Sequence, residues 1–297
     1  MRAAALIAAA LLPATALAQE LEPRAYSNAP VGTNFLVAGY SRITGPVLLD
    51  PSITATDVNA RINAYSLGYA RFFGLLGRAA NISIGVPYIE ADLHGQVMDA
   101  AADVHRSGLG DLRLRGAVNL FGHPALAPAE FRRRTDTPSA GASLSVIAPT
   151  GEYDASRFIN ISTHRWAFKP EAGVSYPIGD WFAEAAAGVW FFTDNGDYLG
   201  GHRRSQEPLA LYQLHAGYNF RPGLWLAADY GWYIGGRTAV DGVANDDAQR
   251  NSRAGLALSL PLGSGWSGKL AWSKGTAVRV GGDFEMFSIA LQYRWLD

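Results

Sequence analysis

The sequence predicts an all-β protein, a transmembrane antiparallel up-and-down β-barrel of about twelve strands. Three observations predict this fold: an export signal at the N-terminus, apolar and polar residues that alternate along short segments, and connections that alternate between long and short. Together they are typical of a bacterial outer-membrane barrel, whose tilted strands cross the hydrocarbon and whose short periplasmic turns lie opposite longer extracellular loops.

The N-terminus has the three parts of a secretory signal peptide. Arg2 supplies a short positive region, Ala3–Leu12 an apolar run, and Ala16-Leu17-Ala18 a cleavage site of the small-x-small kind. A membrane-anchoring helix is the competing interpretation, but the apolar run is shorter than the roughly 20 residues that a spanning helix needs. We therefore expect residues 1–18 to be a signal peptide and residues 19–297 to form a single outer-membrane β-barrel domain.

The last predicted strand shows the alternation most clearly. One face carries Phe287, Ile289, Leu291, Tyr293 and Trp295, and the other carries Ser288, Ala290, Gln292 and Arg294. Successive side chains of a strand point to opposite faces, so one face suits lipid and the other suits water. A half-buried strand of a soluble sandwich has the same pattern. The export signal and the aromatic residue at the end of the apolar face favour the membrane barrel.

Composition excludes several classes of protein. Hydrophobic residues make up 48% of the 297 residues, yet mean hydropathy is only +0.01 and no 18-residue apolar stretch follows the signal, which excludes a helical membrane protein. The 33 glycines, 8 Trp, 13 Tyr and 13 Phe suit many short strands with turns and aromatic girdles. Without cysteine there are no disulfides or thiolate metal sites. A net charge of -1 gives no electrostatic basis for binding nucleic acid.

Counting alternate residues along the chain predicts the strands and their connections. The strands lie near residues 33–43, 58–72, 79–92, 109–121, 138–149, 164–177, 181–194, 207–221, 224–237, 250–262, 266–280 and 284–295. Long connections are predicted at 44–57, 93–108, 150–163, 195–206 and 238–249, with short turns such as Arg221-Pro222-Gly223 between them. This alternation in loop length distinguishes a membrane barrel from a soluble sandwich.

Three segments depart from the pattern. The connection near Val280 to Asp283 falls on the side of the long loops, yet it is short. The connection 122–137 falls on the side of the short turns, yet it is long and basic, so we interpret it as a periplasmic excursion with room for a short helix. Along 58–72 the alternation is poor, because Tyr65 shares a face with Arg61 and Arg71.

Specific segments carry a family resemblance. They are Arg106–Asp111 continuing through Leu112–Leu114 to Asn119–Leu120, Asn160–Ile161 through Trp166–Glu171, Gly188–Asn195 and Gln249–Arg253. Over most of residues 30–295 the chain resembles the outer-membrane barrel transporters labelled "putative meta-pathway of phenol degradation". The resemblance implies a twelve-stranded barrel, suggests passage of small compounds, aromatic ones among them, and carries no catalytic residues. The chain departs from many outer-membrane barrels in that Leu296 and Asp297 follow the final aromatic residue.

Charged residues on the polar faces are the candidate functional residues. A Lys or Arg that faces lipid near the midplane costs about 2–4 kcal/mol, so these side chains should line the lumen. The lumen and selectivity candidates are Arg113, Arg115, Lys169, Glu171, Glu184, His215, Trp225, Asp229, Arg253, Lys269 and Arg294. Arg115, Glu171, His215 and Asp229 are predicted nearest mid-height. There they form either a polar constriction that selects permeants or a paired network that fills the interior.

No cofactor or metal site is expected. None of the six histidines forms a metal-binding pair on one strand face. The acidic loop Asp241, Asn245, Asp246 and Asp247 offers oxygen ligands for calcium, but it lacks the EF-hand pattern, so a solvated extracellular loop is the favoured interpretation. In the predicted strand 224–237, Trp225 lies on the face that points into the lumen. The other tryptophans of the predicted strands are interpreted as interface anchors: Trp181, Trp190, Trp232, Trp266, Trp272 and Trp295.

The expected partners follow from the membrane location. They are outer-membrane lipid, lipopolysaccharide, the barrel-assembly machinery and a small-molecule permeant, with no nucleic acid. His202-Arg203-Arg204 lies in a predicted outer loop and is a candidate contact for lipopolysaccharide phosphates, with a solvated loop as the simpler alternative.

The leading functional hypothesis is a channel for passive uptake of small solutes, aromatic compounds among them. Two alternatives stay open: a structural or adhesive barrel without transport, and an outer-membrane lipase-like enzyme. The enzyme requires a serine within hydrogen-bonding reach of a histidine. His215 faces the lumen without such a serine in the predicted register, and the chain has no Gly-x-Ser-x-Gly motif. We therefore expect no enzymatic activity.

Overall fold

The computed structural model describes residues 21–46, 55–97, 100–157, 159–281 and 283–297. The strands in chain order are β1 (Thr33–Pro46), β2 (Ala55–Leu75), β3 (Arg78–Val97), β4 (Ala100–Leu109), β5 (Leu112–Phe121), β6 (Ser139–Ala148), β7 (Ala167–Ile178), β8 (Trp181–Phe192), β9 (Asn195–Tyr198), β10 (His202–Gln206), β11 (Leu209–Arg221), β12 (Leu224–Gly235), β13 (Thr238–Val240), β14 (Val243–Ala244), β15 (Gln249–Gly263), β16 (Trp266–Ala277) and β17 (Glu285–Leu296). One helical turn, α1 (Pro128–Phe131), lies between β5 and β6. The expected signal peptide, residues 1–18, lies outside the described residues.

The wall of the molecule is a closed antiparallel barrel of 12 strands. β1 pairs with β2 on one side and with β17 on the other, so the sheet has no free lateral edge at its seam. β4 and β5 lie end to end along β3 and together occupy one position of the wall. The predicted fold is therefore confirmed. Among the described residues, no helix has the length and apolar character needed to span a bilayer.

The outer face of the barrel is apolar along each hairpin. In β17, Phe287, Ile289 and Leu291 are exposed on one side, while Ser288 on the other side meets Ser41 of β1 inside the barrel, with 2.8 Å between the hydroxyl oxygens. In the hairpin β11–β12, the exposed Leu214 lies opposite Tyr230. Lipid thus covers an apolar surface, and the polar partner of each alternating pair faces the lumen.

The lipid-facing side of β2 explains its irregular sequence pattern. Tyr65 and Leu67 are exposed on the same side as Arg61 and Arg71. At the periplasmic end, the Arg71 Nη2 atom lies 2.5 Å from the Asp297 Oδ2 atom, and Arg61 stands toward the extracellular end of the same strand. The alternation holds throughout, and the two arginines mark the ends of the apolar band, where lipid headgroups and water can solvate them.

The prediction that residues 93–108 form a loop is wrong. β3 continues to Val97 and turns back into β4, so that Tyr88 pairs with Leu109 and Val97 with Ala100. This hairpin extends above the wall, where its outward residues are polar and its inward Val104 packs on a hydrophobic core. A strand that carries no lipid-facing apolar residues lacks the pattern by which membrane strands are recognised.

The extracellular connections are folded and contain a small sheet of their own. β14, β13, β10 and β9 form a four-stranded sheet within the segments 195–206 and 238–249, which the sequence predicted as loops. A hydrophobic core joins Ile43 and Ile62 of the wall to Ile161 and Phe284 of the connections. We call the extracellular connections between β6 and β7, β8 and β11, β12 and β15, and β16 and β17 the cap. The periplasmic excursion 122–137 is confirmed as the long periplasmic connection and contains α1.

Candidate functional site in the barrel lumen

The charged residues predicted for the lumen lie on inward-facing positions of the wall. One ion pair joins two residues on the same face of β7, with 2.8 Å between Lys169 Nζ and Glu171 Oε2. The Glu171 side chain is only 4% exposed. A carboxylate buried to this degree needs an ion-pair partner to compensate for the loss of water, and Lys169 is that partner. On the adjacent wall, Arg113 and Arg115 line the same cavity.

A second group lies across β8, β11 and β12. His215 pairs directly with Asp229 in the strand register, and 2.7 Å separates His215 Nδ1 from Asp229 Oδ1. Glu184 lies opposite His215 on the other side and accepts a hydrogen bond of 2.9 Å from the Ser175 hydroxyl. The His–Asp pair resembles two members of a catalytic triad, but within the described ranges no serine hydroxyl hydrogen-bonds to His215.

Four further predicted residues mark the two ends and the sides of the lumen. Arg253 is 1% exposed near the cap and donates to the Phe284 carbonyl. Arg294 lines a cavity at the periplasmic mouth. Trp225 faces inward and meets the Phe182 ring edge to face. The charge of Lys269 acts on Glu22, which belongs to a segment that the sequence did not place in the lumen.

That segment, residues 21–30, enters the barrel from the periplasmic side and occupies the lumen. The Tyr26 hydroxyl donates to Glu171 Oε1 at 3.1 Å and lies 3.1 Å from the Ser143 hydroxyl. The Arg24 side chain donates to Asn219 at 2.6 Å, and its backbone N–H donates to Glu184. The segment thus bridges four consecutive strands of the wall, β6, β7, β8 and β11, through contacts that are not part of the wall's own hydrogen bonding.

The wall is shaped to receive this segment. A Cβ atom added at Gly141 would lie 2.6 Å from the Tyr26 ring, and one at Gly173 would also overlap that ring. Glycine is needed at both positions because only the absence of a side chain lets the tyrosine approach the backbone of β6 and β7 so closely. The guanidinium of Arg115 covers the Tyr26 ring, 5.3 Å from its centroid.

An open space remains beside the segment. A cavity of about 280 Å³ lies between Glu22 and the wall, lined by polar residues such as Arg115 and Gln213 and by apolar residues such as Val37 and Trp190. Of the four residues predicted at mid-height, Arg115 and Glu171 meet at Tyr26, while His215 and Asp229 form a separate pair. The predicted set is therefore two clusters, not one ring.

Two sequence interpretations are wrong. Trp190 is 5% exposed and packs with Leu209, Leu211 and Tyr233 inside the barrel, so it is no interface anchor. Its even position in β8 matches that of the inward Glu184, a signal already present in the sequence. Within the candidate segment His202-Arg203-Arg204, Arg204 is 6% exposed and does not reach lipopolysaccharide, whereas His202 and Arg203 are exposed.

Residues 21–30 escaped prediction because they carry no periodic pattern. The nearest sequence signal was the pair of glycines in strands β6 and β7, since glycine inside a strand often marks the close approach of another backbone or ligand. In the part of the chain that the structure describes, no three His, Asp or Glu side chains come together in a metal-binding arrangement.

Comparison with known proteins gives a family and a set of similar folds. The model of a family described as "Putative MetA-pathway of phenol degradation" matches residues 41–293. The chain belongs to this family. No curated protein sequence matches the chain.

Solved structures with similar folds are outer-membrane barrels. An outer membrane channel from Pseudomonas putida F1 is 21% identical, with a TM-score of 0.79 over 93% of this chain and 100% of that one. The β domain of the Bordetella autotransporter BrkA is 15% identical, with a TM-score of 0.52 over 90% of this chain and 100% of that one. At these identities the similarity establishes the fold that the family shares with them, a transmembrane barrel.

Proposed function

We propose that this protein is an outer-membrane channel for the passive uptake of small solutes, with aromatic compounds among them. The observation that carries the proposal is a lumen that keeps a cavity of about 280 Å³ open beside Arg115 and Glu171. Charged and hydrogen-bonding groups at a constriction determine which solutes pass a pore. The similar outer membrane channel from Pseudomonas putida supports the same role.

The mixed lining of the cavity supports aromatic permeants. Val37, Ala70 and Ile147 offer apolar surface close to the guanidinium of Arg113 and the carboxylate of Glu171. A ring with one polar substituent suits a site that is mostly apolar and has a few polar groups to orient its ligand. The family description, which refers to phenol degradation, supports this class of compound.

Ion selectivity tests the proposal. We expect the purified protein to give discrete single-channel currents in planar bilayers. Glu171→Gln or Asp229→Asn should shift the preference for cations over anions toward anions, because each removes a negative charge from the pathway, and Arg115→Gln should shift it toward cations. Reversal potentials in a salt gradient measure the shift.

Glu207→Gln is the matched control, because this side chain is 59% exposed in the cap and should leave selectivity unchanged. Selectivity that stays constant in all three lumen variants, with folding intact, would exclude these residues as a filter. A parent protein that is folded but never conducts would favour the structural or adhesive barrel, in which residues 21–30 and the ion pairs simply fill the interior.

The outer-membrane location makes a separate prediction. The mature protein, with a new N-terminus near Gln19, should fractionate with the outer membrane and migrate differently on gels with and without boiling, because a closed ladder of hydrogen bonds leaves no edge from which to unfold. Recovery of folded protein from the soluble periplasm would contradict this assignment.

A further inference from the structure

Two buried arginines lie side by side in the cap. Arg165 directly precedes β7 and is 4% exposed, and Arg204 in β10 is 6% exposed. Arg165 donates a hydrogen bond to Gln206, which lies two residues from Arg204 on the same buried face of β10, so the charge of Arg204 acts on Arg165. Both lie at the extracellular end of the lumen, because Arg165 packs on Phe192, which itself contacts the cluster around Trp190 and Leu211.

The hydrogen-bonding capacity of these guanidinium groups is only partly used. Arg165 Nη2 donates to the Oε1 atom of Gln206, whose own amide is fixed by a 2.9 Å hydrogen bond to the Gly236 carbonyl. Arg165 Nη1 and Arg204 Nε are buried with no partner among the described residues. A buried donor without a partner costs roughly 1–3 kcal/mol, and more when the group is charged.

Among the described residues, no carboxylate forms a salt bridge with Arg165 or Arg204, and the charges of Asp194 and Asp111 act on Arg165 only from farther away. Asp194 is the ion-pair partner of Arg203, which points to solvent. Asp111 accepts hydrogen bonds from the Ser162 hydroxyl at 2.6 Å and from the Gly151 N–H at 3.0 Å. Burial, followed by the like charge of Arg204, lowers the pKa of the Arg165 guanidinium to about 9. Arginine keeps its proton at physiological pH, so this shift reflects a site that would be stabilised by a negative charge.

Aromatic rings hold both guanidinium groups in place. The Arg165 guanidinium carbon lies 4.4 Å from the centroid of the Phe192 ring, and that of Arg204 lies 5.4 Å from the centroid of the Tyr198 ring. Stacking on a ring fixes the plane of a guanidinium and leaves its N–H edge free to donate. Planar, preoriented donors of this kind match the two oxygens of a carboxylate.

A purely structural role accounts poorly for this arrangement. Two buried like charges destabilise a packed region unless each is paired, and apolar side chains of similar volume would fill the same space at lower cost. We propose that Arg165 and Arg204 form a binding site for the carboxylate of a small organic anion. Phe192 and Tyr198 provide apolar surface next to it that suits an aromatic ring. That this anion passes through the barrel rests on the proposed function. That it binds to the two arginines does not.

Calorimetric titration of the full-length protein in detergent with benzoate tests the site. Benzoate should bind saturably, and benzyl alcohol, which has the same ring without the charge, should not. Arg165→Gln and Arg204→Gln should each weaken benzoate binding at least tenfold, about 1.4 kcal/mol, because each removes charge-assisted hydrogen bonds. Arg237→Gln is the matched control, since this exposed arginine of the cap pairs loosely with Glu207 at 3.9 Å, and its affinity should equal that of the parent.

Thermal unfolding separates binding from a structural role. Benzoate should raise the melting temperature of the parent and not that of Arg165→Gln, whose melting temperature without ligand should be no lower than that of the parent. Absence of benzoate binding to the parent, equal affinities in parent and variants, or equal binding of benzyl alcohol would each overturn the site. Should Arg165→Gln fail to fold, Arg204→Gln decides the question. Benzoate binding by a protein without conductance would refute the channel and leave the site standing.

Discussion

Deleting residues 21–29 is expected to raise the single-channel conductance several-fold. These residues occupy the lumen through side-chain contacts such as those of Arg24 with Asn219 and Tyr26 with Glu171, and contribute no strand to the wall. Removing them should join the cavity of about 280 Å³ to the space the segment now fills. The barrel should still close, because its seam between β1 and β17 begins only at Thr33.

Tyr26→Phe is the matched control for the deletion. It keeps the ring that packs against Gly141 and Gly173 and removes only the hydroxyl, so conductance should stay close to that of the parent. An unchanged conductance in the deletion variant, measured in planar bilayers on protein that still migrates as a folded barrel, would show that ions bypass the segment.

Leu214→Arg should destabilise the folded barrel by about 2–4 kcal/mol, because it places a charge on the lipid-facing side of β11 near mid-height. The side chain of Leu214 is 49% exposed on the outer face, opposite Tyr230. Denaturant titration of the protein folded into lipid vesicles measures the loss.

The neighbouring residue provides the comparison. Gln213→Arg lies on the same strand but lines the lumenal cavity, where polar surroundings can solvate the new charge, so its cost should be far smaller. Equal losses for the two variants would mean that the faces of β11 are assigned wrongly, and the assignment of the lumen residues would fail with them.

The fold was predictable from sequence because lipid imposes a period of two on every strand that it contacts. Phe287, Ile289 and Leu291 alternate with polar residues for that reason alone, and the structure exposes them as expected. β4 escaped prediction because it stands above the membrane, where Asp103 and His105 replace lipid-facing apolar residues on its outer side. The alternation of apolar and polar residues is therefore expected only along the part of a strand that contacts the hydrocarbon.

The candidate site was only half predictable. The alternation of side chains along a strand indicates which face a residue occupies, so Arg115, Glu171 and His215 were expected to face inward. The pattern does not indicate what lies across the lumen, and Glu171, besides its ion pair with Lys169, proved to bind Tyr26 from a segment without periodicity. Arg165 was assigned to a strand and Arg204 to a solvated loop. Their proximity depends on how the cap folds, a long-range arrangement that no local pattern records.

The two arginines on the lipid-facing side of β2 determine the thickness of membrane that the barrel fits. Arg61 and Arg71 are ten residues apart, which corresponds to about 33 Å along a strand at about 3.3 Å per residue. A strand tilt of about 40° reduces this length to an apolar band about 25 Å tall, the height typical of outer-membrane barrels. The bacterial outer membrane is thinner than an average bilayer, so hydrophobic mismatch is small there, and a thicker bilayer would have to thin around the barrel to solvate both charges.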